Sequence, residues 1–208
     1  KNTIVIVLAD HGDGMGSHRM VTKQVSFYEE MTNVPFIIAG PGIHPRQKPV
    51  EDLLTQPTID LLPTLCELAG IPVPSSKPGI SLAPFLKGEK QKRQHPYAAS
   101  EWHSEYEVTV SPGRMIRSPR YKYTHYLEGN GEELYDMLKD KGERRNLAHD
   151  PKYSKILAEH RALLDDYIRR TQDDYRSLKV EADKRWRSHA PGYPNHEGPC
   201  ARDIINRK

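Results

Sequence analysis

Ile4-Val5-Ile6-Val7-Leu8-Ala9-Asp10-His11-Gly12-Asp13 is the stretch on which the reading of this 208-residue chain turns. Four β-branched residues followed by a leucine leave no polar face. That pattern predicts a strand buried on both sides, as in the middle of a parallel sheet. A strand of this kind needs neighbours, so the pattern carries the expectation that further strands precede Lys1 in the whole protein. The strand runs into a loop rich in glycine and acid, Asp10 to Gly16. In open α/β sheets the carboxyl end of the strands is where ligands bind, and a carboxylate placed there can reach a metal or a phosphate-like group. The same residues also suit a plain strand-to-loop turn, with Asp10 capping backbone N–H groups and Gly12 supplying the bend.

Working outward, Val34 to Ala39 reads as a second strand, stopped by Gly40-Pro41-Gly42. Short helical turns are expected at Tyr28–Met31 and Ser81–Leu86. A helix is predicted to begin at Asp60 as N-cap, with Pro63 in its first turn and Gly70 as its C′ residue. Leu61, Leu65, Leu68 and Ala69 would form its apolar face. Four short strands follow near Tyr97–Trp102, Arg114–Arg117, Tyr121–Leu127 and Glu133–Asp136. They are divided by Ser111-Pro112-Gly113, Ser118-Pro119 and Gly129-Asn130-Gly131, the punctuation of an antiparallel sheet. After Asp150-Pro151, the residues Ile156, Leu157, His160, Leu163, Leu164, Tyr167 and Ile168 recur at helical spacing, so a helix should cover one face of that sheet, with His160 packed inside. From Arg176 the chain is basic and aperiodic. The expected organisation is therefore an incomplete α/β domain over residues 1–95, a small α+β subdomain over 96–175 and an irregular tail over 176–208.

Charged residues make up 28% and apolar residues 36%, and the formal net charge is +3. So small a charge gives no argument for nucleic acid or an anionic membrane as partner. No stretch approaches the ~20 apolar residues of a membrane span. Cys66 lies in an apolar helical pattern and Cys200 in the Pro/Gly-rich tail, and two cysteines do not fix the redox compartment.

Taken as an ordered set, these segments resemble the sulfatase family. The set comprises residues 4–13, Gly16-Ser17-His18, Lys23, Phe27-Tyr28-Glu29-Glu30 and Val34-Pro35-Phe36-Ile37-Ile38. Further along come Asp60-Leu61-Leu62-Pro63-Thr64-Leu65, Gly79-Ile80-Ser81-Leu82, Arg120-Tyr121-Lys122-Tyr123, Glu133-Leu134-Tyr135-Asp136 and Asn146-Leu147-Ala148. The resemblance covers roughly residues 3–170. It implies an α/β fold, the C-terminal part of an alkaline-phosphatase-like sheet followed by a small subdomain of four antiparallel strands packed on a C-terminal helix.

By that resemblance Asp10 is a calcium ligand, in keeping with calcium's demand for carboxylate oxygens. His11 takes the adjacent position of the metal site, where a hydrogen bond to the sulfate or the leaving oxygen suits a histidine better than ligation of calcium. Lys23 matches the lysine that contacts sulfate, and His18 a loop histidine that faces substrate. The family reaction is sulfate-ester hydrolysis by a formylglycine hydrate. Calcium and cations stabilise the sulfuryl oxygens, and a histidine or lysine protonates the leaving alcohol, roles that fall on His11 and Lys23. The resemblance favours a secreted or periplasmic location and a sulfated glycan or small molecule as substrate.

One departure is decisive for the expected activity. Neither Cys66-Glu67-Leu68-Ala69-Gly70 nor Cys200-Ala201-Arg202 fits the Cys/Ser-x-Pro/Ala-x-Arg pattern that yields formylglycine. The nucleophile and part of the calcium site are therefore expected in a missing N-terminal half, and the 208 residues alone are not expected to turn over substrate. Two rivals stand beside this reading. A phosphoesterase of the same superfamily would use His11 at a zinc site. A truncated, non-catalytic module would leave an apolar sheet edge open.

Overall fold

The computed structural model describes residues 2–20, 26–50, 53–91, 94–102, 112–127 and 131–177. They form two compact units, Lys1–Gly12 with Asn33–Ala98, and Asp13–Thr32 with Ala99–Lys208. Residues 13–32 group with the second unit although they lie between the two strands of the first. Most of the expected basic tail, from residue 178, lies outside the described residues.

In the first unit, β1 (Val5–Leu8) and β2 (Phe36–Ala39) pair antiparallel, with Val5 opposite Ala39 and Leu8 opposite Phe36. The expected burial of β1 on both sides is not what this chain shows. One face of the ribbon, formed by Val5, Val7 and Ile37, is exposed by 56%, 50% and 57%, while Ile6, Phe36 and Ile38 on the other are half-buried. Two strands make a sheet with an open edge on each, and within the described residues this sheet has no third strand.

Helix α2 (Pro57–Ala69) starts three residues before the expected Asp60, with Gln56 as N-cap and Pro57 at the first helical position. Pro is favoured there because its missing N–H would be unpaired in any case. Asp60 still caps, but from inside the helix. Its buried carboxylate accepts from Gln56 N at 2.7 Å, from Ile80 N at 2.8 Å and from the His95 ring at 2.8 Å. Thr64 extends this staple, accepting from Leu82 N at 2.9 Å. These polar bonds turn Asp60, Pro63 and Thr64 inward and leave Leu62 and Leu65 exposed, so the expected Leu61–Leu65–Leu68 stripe is not the buried one. The helix ends as expected at Gly70, whose φ of 69° is costly for a residue with a Cβ. Gly79 faces a second constraint, since a Cβ there would lie 2.1 Å from the Ile59 carbonyl oxygen. A short helix, α3 (Ala83–Leu86), follows.

The second unit is built on a four-stranded antiparallel sheet in the order β3 (Ala98–Trp102), β4 (Gly113–Arg117), β5 (Tyr121–Tyr126) and β6 (Gly131–Asp136). Register places Ile116 beside Tyr123 and Tyr123 beside Leu134 on one face. Helix α4 (Ser154–Thr171) covers that face with Leu157, His160 and Leu164, all buried, as the helical spacing predicts. His160 is packed and satisfied. Its Nδ1 donates to Ile156 O at 2.8 Å, and its Nε2 lies 2.9 Å from Ser118 Oγ.

The opposite face carries Gly113, Lys122 and Tyr135, and described residues of the 13–20 and 26–32 segments lie against it. Phe27 packs on Gly113, Tyr28 on Tyr135, and Met20, Tyr28, Met31, Tyr135 and Met137 form one buried cluster. At its centre Lys122, 1% exposed, donates to Phe27 O at 2.9 Å and pairs with Glu143 at 2.9 Å and Glu29 at 2.5 Å. Glu143 in turn accepts from Glu29 N at 2.6 Å. This is why residues 13–20 and 26–32, including the short helix α1 (Glu29–Thr32), belong with the second unit: they supply the second layer the sheet requires.

Candidate functional site

Asp10 and His11 stand just past the C-terminal end of β1, in the first unit. The Asp10 side chain is 89% exposed, and its Oδ1 accepts from His11 N at 2.9 Å. The His11 ring turns back on the chain. Its Nδ1 donates to Gly12 O at 2.8 Å, which in the neutral ring puts the lone pair on Nε2, 3.8 Å from Asp10 Oδ2. An exposed carboxylate at a strand's carboxyl end suits a hard divalent cation. Calcium takes about six to eight oxygens, so Asp10 can supply a share of the shell and not the whole. Among the described residues no group of three or more His, Cys, Asp or Glu gathers as a metal cluster, so neither a complete calcium site nor a two-zinc site is built from them.

His18 belongs to the second unit, in a loop bent more tightly than its sequence suggests. Met15, His18 and Arg19 have φ of 45°, 48° and 62°, and Gly16 has 94°. For a residue with a Cβ the left-handed region costs roughly 1–2 kcal/mol. Backbone bonds close the turn, from Ser17 N to Gly14 O at 2.7 Å, Gly16 N to Met20 O at 2.7 Å and Met20 N to Ser17 O at 2.8 Å. Side chains fasten it. The His18 ring stacks on Tyr28 at 3.7 Å with planes 1° apart, and its Nε2 lies 3.9 Å from Glu30 Oε2. Ser17 Oγ donates to Glu30 Oε1. Burial pushes the His18 pKa down against the pull of Glu30. Burial alone would push the Glu30 carboxyl up, but the Ser17 hydroxyl and nearby positive groups outweigh it and hold it below its usual range.

Of these four residues only His18 stands out in the sequence; Ser17, Tyr28 and Glu30 occur within motifs, and nothing in their spacing shows that a stacked ring and a shared carboxylate converge on one histidine. Lys23 lies outside the described residues. Arg114 is buried and structural. It forms a bidentate pair with Asp173 at 2.6 and 2.9 Å, donates to Trp102 O at 2.9 Å and lies 4.4 Å above the Tyr175 ring. Cys66 is a free, half-buried thiol.

The profile of the N-sulphoglucosamine sulphohydrolase C-terminal region matches residues 16–170. The chain belongs to the sulfatase family. All 208 residues align at 76% identity with a Delta 4,5-hexuronate-2-O-sulfatase of Bacteroides thetaiotaomicron, of which they span 43%. A solved 2-O GAG sulfatase superposes with a TM-score of 0.87 at 77% identity, over 97% of this chain and 44% of its own length. A structure in complex with its substrate, D-glucosamine-2-N,6-O-disulfate, superposes with a TM-score of 0.73 at 25% identity, over 85% of this chain and 36% of its own. The chain thus spans less than half the length of these relatives and corresponds to the C-terminal portion of the sulfatase fold.

Proposed function

We propose that this chain forms the C-terminal part of a calcium-dependent sulfatase that removes the 2-O-sulfate from an unsaturated hexuronate at the end of a sulfated glycan chain. The observation that carries the proposal is the 76% identity to the Delta 4,5-hexuronate-2-O-sulfatase along the whole chain. Asp10 and His11 would hold the metal edge of the site, with the Asp10 carboxylate as ligand and His11 positioned toward the sulfate or leaving oxygen. Lys23 would set a compact cation against a sulfuryl oxygen. Calcium, when bound, would draw charge from the sulfuryl oxygens as they become more negative. The nucleophile and the remaining ligands would come from the part of the longer protein that this chain does not span. The exposed faces of β1, β2 and α2 would be covered there, and the enzyme would work outside the cytoplasm, in the periplasm or as a secreted protein.

The test is desulfation of an unsaturated 2-O-sulfated uronate disaccharide by the whole protein, with calcium and after chelation. Activity should need calcium and fall by at least about a hundredfold in Asp10→Ala and in Lys23→Ala. Activity restored by zinc and not calcium would favour the phosphoesterase reading instead. Wild-type-level activity in Asp10→Ala would remove Asp10 from the site.

A further inference from the structure

We infer that His18 is a positioning residue, whose imidazole locks the Gly14–Met20 loop into its strained shape instead of binding sulfate. The inference rests on the sulfatase reading of the site for its functional consequence, and on the second unit's own geometry for the rest.

Three observations point the same way. The ring is enclosed: Tyr28 covers one face at 3.7 Å, and only 17% of the side chain is exposed. The nearest charged group is the wrong one for a sulfate site. Glu30 Oε2 lies 3.9 Å from Nε2, so a sulfate oxygen brought to that nitrogen would face a carboxylate across a few ångströms. Lastly, the loop needs a lock. Met15, His18 and Arg19 are all in left-handed backbone within five positions, a conformation that persists only where the surroundings over-determine it.

The lock is built from both ends. Ser17, one residue before His18, donates to the same Glu30 that faces the ring, and Met20, two residues after it, is buried in the cluster with Tyr28. Glu30 and Tyr28 sit on either side of Glu29, whose own carboxylate is pinned by Lys122. The loop is thereby tied through three consecutive residues to the sheet of the second unit. In sequence it stands between Asp10–His11 and Lys23, and the sulfatase reading, which puts those residues around one sulfate, is what gives its shape a consequence for turnover.

The experiment compares His18→Ala, Tyr28→Leu, Tyr28→Phe and Glu30→Ala in the whole protein by two readouts. The first is hydrogen exchange at the Gly16, Ser17 and Met20 amides without substrate. A positioning role predicts about five- to tenfold faster exchange in His18→Ala, Tyr28→Leu and Glu30→Ala, with recovery in Tyr28→Phe, which keeps the stacked ring. The second is turnover of the 2-O-sulfated uronate. The same three variants should lose about ten- to a hundredfold in kcat with KM within about twofold, Tyr28→Phe again recovering. Unchanged amide exchange in His18→Ala would overturn the inference. So would a loss of inorganic sulfate affinity confined to His18→Ala with exchange intact, because the ring would then be a sulfate ligand. If the wild type does not cleave the substrate, the sulfatase reading fails, and the exchange measurement still decides the lock.

Discussion

The β1–β2 ribbon and the four-stranded sheet are written in similar residues and end in opposite environments. Val5, Val7 and Ile37 in the ribbon are at least half exposed, whereas Ile116, Tyr123 and Leu134 in the sheet are sealed. The difference lies in what the chain supplies to each. For the sheet it supplies α4 on one face and Met20, Phe27, Tyr28 and Met31 on the other. For the ribbon it supplies two strands and no second layer over the Val5–Val7–Ile37 face among the described residues. An apolar run therefore states a demand for burial, and whether one chain meets that demand is a separate question. The first unit holds its other parts together differently, through the polar staple around Asp60.

The largest effect should come from the centre of the doubly covered sheet. Lys122→Ala leaves Glu143 and Glu29 facing each other in a buried site and should cost about 3–5 kcal/mol in urea unfolding. A loss below about 1 kcal/mol would mean that water reaches the cluster. The pH dependence sharpens this. Burial pushes the Glu143 carboxyl up, and Lys122 pulls against it without prevailing. A carboxyl raised in the fold favours its protonated form there, so its share of stability is greatest at acid pH and is lost as pH rises from the ordinary carboxylate value to the raised one. Lys122→Ala should raise that carboxyl further, deepening the loss and extending its window to higher pH, seen in Tm across a pH series. The corresponding cut in the first unit is Asp60→Ala, which strands Gln56 N, Ile80 N and the His95 ring and should cost about 3 kcal/mol. If Asp60→Ala were neutral, the staple would not be what holds that unit.

A smaller effect is expected at the rim of the α4 face. Arg161 chiefly, then the Tyr123 hydroxyl, outweigh burial and hold the Glu132 carboxyl below its usual range. A depressed carboxyl contributes stability above its ordinary value and loses it as pH falls through the depressed one. Glu132→Gln should therefore cost about 1 kcal/mol near neutrality and flatten the acid limb of the stability curve. An unchanged acid limb would show that the pair with Arg161, at 2.7 Å, is no stronger in the fold than in the unfolded chain.

How much of this was legible in the sequence follows from the range of each signal. Local patterns served well. The spacing Leu157–His160–Leu164 placed α4, the turn residues placed the four strands, and Gly70 ended α2. The start of α2 was misplaced because Asp60 resembles an N-cap, while the carboxylate reaches back four residues to Gln56 N and across to Ile80, a bond no local pattern records. The second layer of the sheet was hidden for the same reason. Lys122 looks like a strand lysine facing water until Phe27 O, Glu29 and Glu143 arrive from distant positions. The place of Asp10 and His11 just past β1 was legible from strand and loop, whereas in the second unit the convergence of Ser17, Tyr28 and Glu30 on His18 exists only in three dimensions.

The smallest expected effect tests the ribbon itself. Val7→Thr keeps the shape and β-propensity of the side chain and adds a hydroxyl that water can satisfy on an exposed face. In the 208-residue chain it should change stability by no more than about 0.5 kcal/mol. Ile116→Thr puts the same hydroxyl at a sealed position of the other sheet and should cost several-fold more. If Val7→Thr matched Ile116→Thr, the ribbon face would already be covered in solution, and sedimentation would show whether a second copy covers it. In the longer protein proposed above, Val7→Thr should become costly while Ile116→Thr keeps its value. The ribbon's burial would then depend on a neighbour the chain does not supply, and the sheet's would not.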